Sequence, residues 1–243
     1  MADRKINVLV FGPHPDDAEI GCGGVLLRLK KQGYTTGVVD LTRGEMGTGG
    51  DVATRARESA RAAEILKLDI RDNADLPDLQ VKDSHENRLV AAAFIRKYRP
   101  DIILAPYYDL PPGRGLGHTD HIEGGLLVSH ANNFAHLRKL PIDGEPWYAP
   151  AVYYYFLPNE VKPTFIVDVT EFFDDYIAAI FAHESQFGKA DQNWHIRDFF
   201  ESRARTWGRF AGATYAQAFL SLHPMNVSDL MALKPDFRPL KEK

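Results

Sequence analysis

The sequence predicts an α/β protein with a Rossmann-like, mostly parallel sheet and helices on both faces of that sheet. Two observations support this fold class. Short apolar runs rich in β-branched residues alternate with longer segments of helical periodicity. The first run, residues 6–11, is apolar at nearly every position, as is typical of a strand buried on both faces. We expect a single domain over residues 1–243, with its core in about 1–140 and a small annex in about 150–243.

The remaining elements follow from the same alternation. The first strand ends at Gly12-Pro13, and the spacing of Val25, Leu26 and Leu29 before Gly33 predicts a helix over 20–32. We then predict strands over 36–41, 101–105, 151–156 and 164–169, and helices over 52–67, 86–98, from about 120, over 171–185 and over 197–212. Ligands of open parallel sheets bind at the carboxyl ends of strands, so the loops 42–51 and 109–117 are expected to border the site.

The composition favours a small-molecule partner. The net charge of −4 with neutral histidines gives no sign of the phosphate attraction on which nucleic-acid binders depend. The apolar runs are far shorter than the roughly 20 residues that cross a bilayer, so no membrane partner is expected. The single cysteine, Cys22, cannot form an internal disulfide, and the N-terminus lacks the apolar stretch of a signal peptide, which together predict a cytoplasmic protein.

Two polar motifs stand at strand ends. Pro13-His14-Pro15-Asp16-Asp17 follows the first strand, and its prolines restrict the backbone around His14, which suits a metal ligand. A solvated turn that caps the next helix is the alternative, since Asp is a favoured N-cap residue. The second motif, His118-Thr119-Asp120-His121, follows the strand 101–105. Its occurrence at an equivalent place favours the metal interpretation over helix capping at both motifs.

Together the motifs supply the parts of a hydrolytic zinc site, which needs three nitrogen or oxygen ligands and one open position. Asp16 and Asp17 are adjacent, so one carboxylate can bind the ion while the other takes a proton from water. His118 and His121 point roughly the same way from a first helical turn, and only one needs to bind the ion. The other can stabilise an oxyanion or protonate an amine, with Asp120 bonded to its far nitrogen.

The two motifs and the order of elements between them resemble the PIG-L/LmbE-like zinc-dependent N-acetylglucosamine deacetylases. Residues 40–45, 105–108 and 183–187 are similar to the branch that includes the bacillithiol-pathway deacetylases. The resemblance implies an LmbE-like fold, with His14, Asp17 and His121 as metal ligands. It also implies Asp16 as the general base and His118, supported by Asp120, as oxyanion donor or acid. The ion implied is Zn²⁺, although Fe²⁺, Co²⁺ or Mn²⁺ would suit similar ligands.

Three residues are expected to bind substrate. Arg55 matches a family position near the substrate, and Arg114 lies in a loop that is longer than in several relatives and could reach a substrate carboxylate. His195 stands near the position where many relatives have a tyrosine beside the reacting carbonyl. Thr119 also departs from the proline that is more common in the family's second motif.

The resemblance implies removal of the N-acetyl group from an N-acetylglucosamine conjugate, with N-acetylglucosaminyl-malate of bacillithiol synthesis as the first candidate. The alternatives are another N-acetylglucosaminide, such as a chitooligosaccharide or an antibiotic-type glycoside, and a non-catalytic metal-binding or sugar-binding protein. A phosphoesterase is disfavoured, because such sites usually gather more carboxylates or a second metal. The family also implies a homo-oligomer, either a trimer or a hexamer.

Overall fold

Strands and helices alternate along residues 5–189 and 193–233, the parts of the chain that the computed structural model describes. The strands are β1 (Val8–Gly12), β2 (Thr36–Asp40), β3 (Ile70–Asn73), β4 (Ile102–Pro106), β5 (Ala151–Tyr155), β6 (Phe165–Asp168) and β7 (Ala216–Phe219). The α-helices are α1 (Asp17–Lys31), α2 (Val52–Leu66), α3 (His85–Tyr98), α4 (Thr119–Ala135), α5 (Phe173–Phe181), α6 (Glu184–Phe187) and α7 (Trp194–Ala211).

The main sheet has five parallel strands in the order β3-β2-β1-β4-β5, which confirms the predicted α/β fold class. The chain first builds outward from β1 to β2 and β3, and then crosses to the other side of β1 for β4 and β5. In the register, Val8 of β1 lies between Thr36 and Ile102. The strand order therefore reverses between β1 and β4, and such a switch point opens a crevice at the carboxyl ends of the two strands.

Helices cover both faces of this sheet. Successive residues of β1 point to opposite faces, so Leu9 and Phe11 belong to one apolar core while Val8 and Val10 belong to the other. Helices α3 and α4 pack on the first core, and α1, α2 and α5 pack on the second. Because both faces are buried, the sheet gives the turns at its carboxyl edge a rigid base.

Glycines bring α1 close to its neighbours. A Cβ atom on Gly21 would lie 2.2 Å from the ring of Tyr155 in β5, and one on Gly24 would lie 2.8 Å from Val169. Position 26 is Leu26, so these glycines do not form a dinucleotide fingerprint, and close helix packing accounts for them.

Three elements differ from the prediction: one helix and one strand in the C-terminal part, and one strand in the main sheet. The helix predicted over 171–185 is two helices, because the chain leaves helical geometry at His183, whose side chain is fully buried. Strands β3 and β7 were not predicted. Strand β7 pairs with β6 in a small antiparallel sheet against α7. None of the described helices is both long and apolar enough to cross a membrane.

Candidate active site

A polar cavity of about 310 Å³ opens at the switch point between β1 and β4. Its walls come from the turn after β1, the loops after β2 and β3, the start of α4, and α6. The ionisable residues that line it are His14, Asp16, Asp17, Arg55, Asp78, His118 and His121. Both sequence motifs therefore meet in one cavity, as predicted from their positions at strand ends.

The turn between β1 and α1 fixes the first motif. The His14 N–H donates to the Asp17 carboxylate at 2.9 Å, and Asp17 is the first residue of α1. Asp16 has a φ of 138°, a conformation that costs an L-residue of order 1–3 kcal/mol and persists only when its surroundings hold it. This strained backbone places the two adjacent aspartates in different environments.

Asp17 lies between His14 and His121. The two carboxylate oxygens of Asp17 lie 3.2 Å from Nδ1 of His14 and 3.2 Å from Nε2 of His121. Ligand atoms around a tetrahedral zinc ion, each bonded at about 2.0–2.1 Å, are about 3.3 Å apart. Each of the two distances between Asp17 and a histidine therefore fits a pair of ligands on one ion.

The negative charge of the carboxylates around His14 also favours a bound cation. Burial alone would lower the pKa of His14, but hydrogen bonds to Asp120, Asp17 and Asp78 outweigh burial and raise the pKa to about 12. A buried site with three carboxylates around one imidazole has an excess of negative charge, which a divalent ion would neutralise. Asp17, by contrast, is strongly acidic: burial would raise its pKa, but His121 and His14 lower it.

Asp120 contacts a different histidine from the one predicted. Its carboxylate lies 3.3 Å from Nε2 of His14 and accepts the backbone N–H of Leu79 at 2.8 Å. The expected support of the His118 ring by this carboxylate is therefore wrong, because the start of α4 turns the Asp120 side chain toward β1. A hydrogen bond at Nε2 leaves Nδ1 of His14 free to bind an ion, as the outer partners of metal-bound histidines commonly do.

Asp78 is a site residue that the sequence analysis missed. Its carboxylate lies 3.3 Å from Nε2 of His14 and accepts the N–H of Met46 at 2.9 Å. Burial would raise the pKa of Asp78, but His14 and the Met46 N–H lower it to about 2. The residue follows β3, a strand with little apolar sequence, so no predicted strand end pointed to it. His14, Asp78 and Asp120 also form a second group whose ligand atoms are close enough to hold an ion.

His118 faces the cavity as a neutral ring. Burial lowers its pKa below the usual 6.5, and the charge of His14 lowers it further. Its Nδ1 accepts the backbone N–H of Asp120 at 3.2 Å, so Nε2 carries the hydrogen. One nitrogen from each of His14, His118 and His121 can also approach one ion. His118 is thus placed either to donate a hydrogen bond or to coordinate.

Asp16 lies beside Asp17 and is also buried. Burial raises its pKa to about 7 and the charge of Asp17 adds to the rise, while His183 and Arg55 oppose it. Nη2 of Arg55 lies 3.3 Å from the Asp16 carboxylate and donates to the Pro15 carbonyl at 2.7 Å. A carboxylate with a pKa near neutrality suits a group that both accepts and returns a proton.

A buried charged cluster of Glu19, Asp40, Arg71 and His183 lies under Asp16. Arg71 forms ion pairs with Glu19 and with Asp40, the latter at 2.9 Å. Nε2 of His183 lies 3.6 Å from Glu19. Burial alone would lower the pKa of His183, but the carboxylates of Glu19 and Asp16 outweigh it and raise the pKa. No local sequence pattern points to this cluster, since its members come from four separate parts of the chain.

Only one of the three expected substrate-binding residues lies in the cavity. Arg55 lines it but is 4% exposed, and it also donates to the Gly44 carbonyl at 3.2 Å. Arg114 is exposed and does not line the cavity, although its neighbour Gly115 does. His195 is also outside; its ring centroid lies 3.5 Å from that of the exposed Trp194 at the start of α7.

Comparison with known proteins places this arrangement in a family. Residues 9–132, about half of the chain, match the family model described as GlcNAc-PI de-N-acetylase, PIG-L. The diacetylchitobiose deacetylase of Thermococcus kodakarensis is 34% identical over 236 residues, which cover 88% of this chain and 85% of that protein. A probable N-acetyl-α-D-glucosaminyl L-malate deacetylase 2 of Bacillus anthracis is 27% identical over 198 residues, with coverages of 74% and 81%.

The fold is also found among solved structures. The crystal structure of the conserved protein TT1542 from Thermus thermophilus has a TM-score of 0.84 and is 37% identical. The match covers 93% of this chain and 98% of that one. Nearly the whole architecture is therefore shared with a solved relative.

Proposed function

This chain belongs to the PIG-L family of de-N-acetylases, and we propose that it uses a divalent metal ion to deacetylate a neutral N-acetylglucosaminide, with a short chitooligosaccharide as first candidate. Its family and its curated relatives are deacetylases, so this chain is a deacetylase as well. The arrangement that best supports the finer proposal is the position of Asp17 between His14 and His121, beside Asp16 in one cavity. A non-catalytic binding protein would have no need of a strained, buried carboxylate with a pKa near neutrality.

His14, Asp17 and His121 would hold the ion, and zinc suits their nitrogen and oxygen atoms, as Fe²⁺, Co²⁺ and Mn²⁺ also do. When bound, such an ion polarises an amide carbonyl and lowers the pKa of water toward about 7. Asp16 is placed to take the proton that the attacking water loses and to return it to the leaving amine. Arg55 holds the Asp16 carboxylate in position from the other side.

His118 supplies the third part of the proposed mechanism. Its neutral ring carries the hydrogen on Nε2, and it lines the cavity beside His14. A hydrogen bond from this nitrogen would strengthen as negative charge develops on the carbonyl oxygen. One well-placed donor of this kind is worth about 3 kcal/mol to the transition state.

The charge of the cavity supports a neutral substrate over the malate conjugate. Among the described residues that line it, Arg55 is the only one with a permanent positive charge, and it is already bonded to Asp16 and two backbone carbonyls. Asp16, Asp17 and Asp78 line the same walls. A malate group would bring two carboxylates to a cavity whose described lining offers no further permanent cation, whereas sugar hydroxyls can donate to Asp78.

The test is amine release from N-acetylglucosamine, N,N'-diacetylchitobiose and N-acetylglucosaminyl-malate, with and without a chelator. We expect chelator-sensitive release, restored by zinc, with the disaccharide preferred. Asp16→Asn should keep bound metal but lose about 10²- to 10⁴-fold in kcat. Asp75→Asn is the matched control, because Asp75 also has a positive φ but is exposed and pairs with Arg43. No release from any substrate would contradict the proposed activity, and preference for the malate conjugate would contradict the proposed substrate.

A further inference from the structure

Two exposed apolar side chains stand at the mouth of the otherwise polar cavity. Met46 is 62% exposed and Leu79 is 56% exposed, and both line the cavity. Met46 comes from the loop after β2 and Leu79 from the loop after β3. Single exposed apolar residues are common on protein surfaces, but two that border the same cavity at the end of a sheet are less easily attributed to chance.

The two loops are tied together, so the apolar pair is held in place. The Met46 N–H donates to the Asp78 carboxylate at 2.9 Å, and the Asp78 N–H donates to the Glu45 carboxylate at 2.8 Å. These reciprocal bonds tie the backbone at Met46 to Asp78, the residue that precedes Leu79. The pair therefore belongs to the same rigid wall as the residues around His14.

The backbone of Leu79 is strained in a way that serves the site. Its φ is 62°, a left-handed conformation that is rare for a leucine. In this conformation its N–H donates to the Asp120 carboxylate at 2.8 Å. A small polar residue such as Asn would meet the same backbone requirement at lower cost. The hydrogen bond to Asp120 thus explains the left-handed backbone conformation at this position. It does not explain why the residue is a leucine with an exposed side chain.

We propose that Met46 and Leu79 determine substrate specificity by packing against the apolar face of the sugar ring next to the one that is deacetylated. A pyranose ring has one face made largely of C–H groups, and it carries no charge that would be repelled by the carboxylates deeper in the cavity. Charged groups such as malate gain nothing from this apolar wall. This inference rests on the proposed function, since it concerns the second unit of the same substrate.

The experiment compares kcat/KM for N,N'-diacetylchitobiose with kcat/KM for N-acetylglucosamine in the full-length protein loaded with zinc. In the double variant Met46→Ser, Leu79→Asn, we expect the ratio of the two values to fall about tenfold, which corresponds to about 1.4 kcal/mol. Asn is chosen because it tolerates the left-handed backbone and keeps the N–H that bonds Asp120. Met46→Leu and Leu79→Met should retain most of the ratio, because they keep the apolar wall.

The matched control is Met225→Ser with Leu222→Asn, which makes the same changes at exposed residues that do not line the cavity. An unchanged ratio in the double variant, or an equal loss for both substrates, would overturn the role in specificity while leaving the proposed function intact. Product inhibition by N-monoacetylchitobiose, the singly deacetylated disaccharide, relative to glucosamine gives the same comparison for a variant with little turnover. If the unsubstituted protein deacetylates neither sugar, both the proposed function and this inference fail.

Discussion

At the scale of single residues, the site depends on which nitrogen of each histidine carries a hydrogen. Asp120 and Asp78 lie on the Nε2 side of His14, and its Nδ1 faces Asp17 at 3.2 Å, where it would bind an ion in place of a hydrogen. The backbone of Asp120 does the opposite for His118, whose Nε2 keeps the hydrogen. One residue thus prepares one histidine to bind an ion and the other to donate a hydrogen bond.

The substitution Asp120→Asn tests whether Asp120 prepares His14 to bind an ion. An amide in place of the carboxylate weakens the bond that orients His14, and loss of such an outer partner typically costs about 10- to 100-fold in metal affinity or activity. We expect the apparent Kd for zinc to rise about 10-fold or more, measured by competition with a chromogenic chelator. A fall in kcat with unchanged zinc affinity would instead contradict a role of the carboxylate in orienting a metal ligand.

At the scale of elements, the strands that form a continuous apolar run could be predicted from the sequence, whereas β3 and β7, which lack such a run, were missed. Strand β1 is apolar throughout and ends in a polar motif, so both the strand and His14 could be predicted. Strand β3 has a single apolar residue, Ile70, and all four of its residues are only half-buried. Without β3 there was no strand end on which to place Asp78, and periodicity gives no sign of a tertiary contact of this kind.

The buried cluster under Asp16 joins distant parts of the chain, and its stability depends on Arg71. Arg71→Met would leave Glu19 and Asp40 buried without their cation, which typically costs about 3–5 kcal/mol. Burial would raise the folded-state pKa of Glu19, but Arg71 and His183 lower it to about 2. Ionised Glu19 therefore stabilises the fold above its ordinary pKa of 4.5, and this stabilisation is lost as the pH falls toward 2.

In the variant the folded-state pKa of Glu19 should instead rise above that of the unfolded chain. Ionisation then costs stability as the pH rises, so we expect a larger loss at about pH 8 than at about pH 5 in urea unfolding curves. Arg57→Met is a suitable control, because Arg57 is exposed and its side chain donates to Thr54 on the same helix. An equal loss at both pH values would show that the charge pairing does not account for the effect.

The packing of α1 on β5 makes a separate prediction about a glycine. Alanine favours helices over glycine by about 1 kcal/mol, yet Gly21→Ala would place a Cβ atom 2.2 Å from the Tyr155 ring. We expect the steric clash to outweigh the helix preference of alanine, so the free energy of unfolding should fall by about 1–3 kcal/mol. Gly113→Ala, where no atom lies within 4 Å, should have little effect. Stabilisation by Gly21→Ala would mean that the helix and β5 are less tightly packed than described.

At the scale of the whole molecule, the fold brings together groups that are far apart in sequence. His14 and Asp120 are 106 residues apart, and they meet because the chain places β1 and β4 side by side on either side of the switch point. The site also gathers buried carboxylates whose mutual repulsion opposes folding when no cation is present. Ion binding and stability of the whole fold should therefore be coupled.

The coupling predicts a large thermal shift. A ligand that binds only the folded state, present at about 1,000 times its Kd, stabilises that state by about 4 kcal/mol. For a chain of this length, about 1 kcal/mol corresponds to about 2–4 °C, so saturating zinc should raise Tm by about 8–16 °C in scanning calorimetry. His14→Ala should abolish most of this shift, whereas His130→Ala, at an exposed histidine paired with Asp83, should retain it. Because this measurement needs no turnover, an equal shift in the His14 variant would refute the ligand assignment whatever the substrate proves to be.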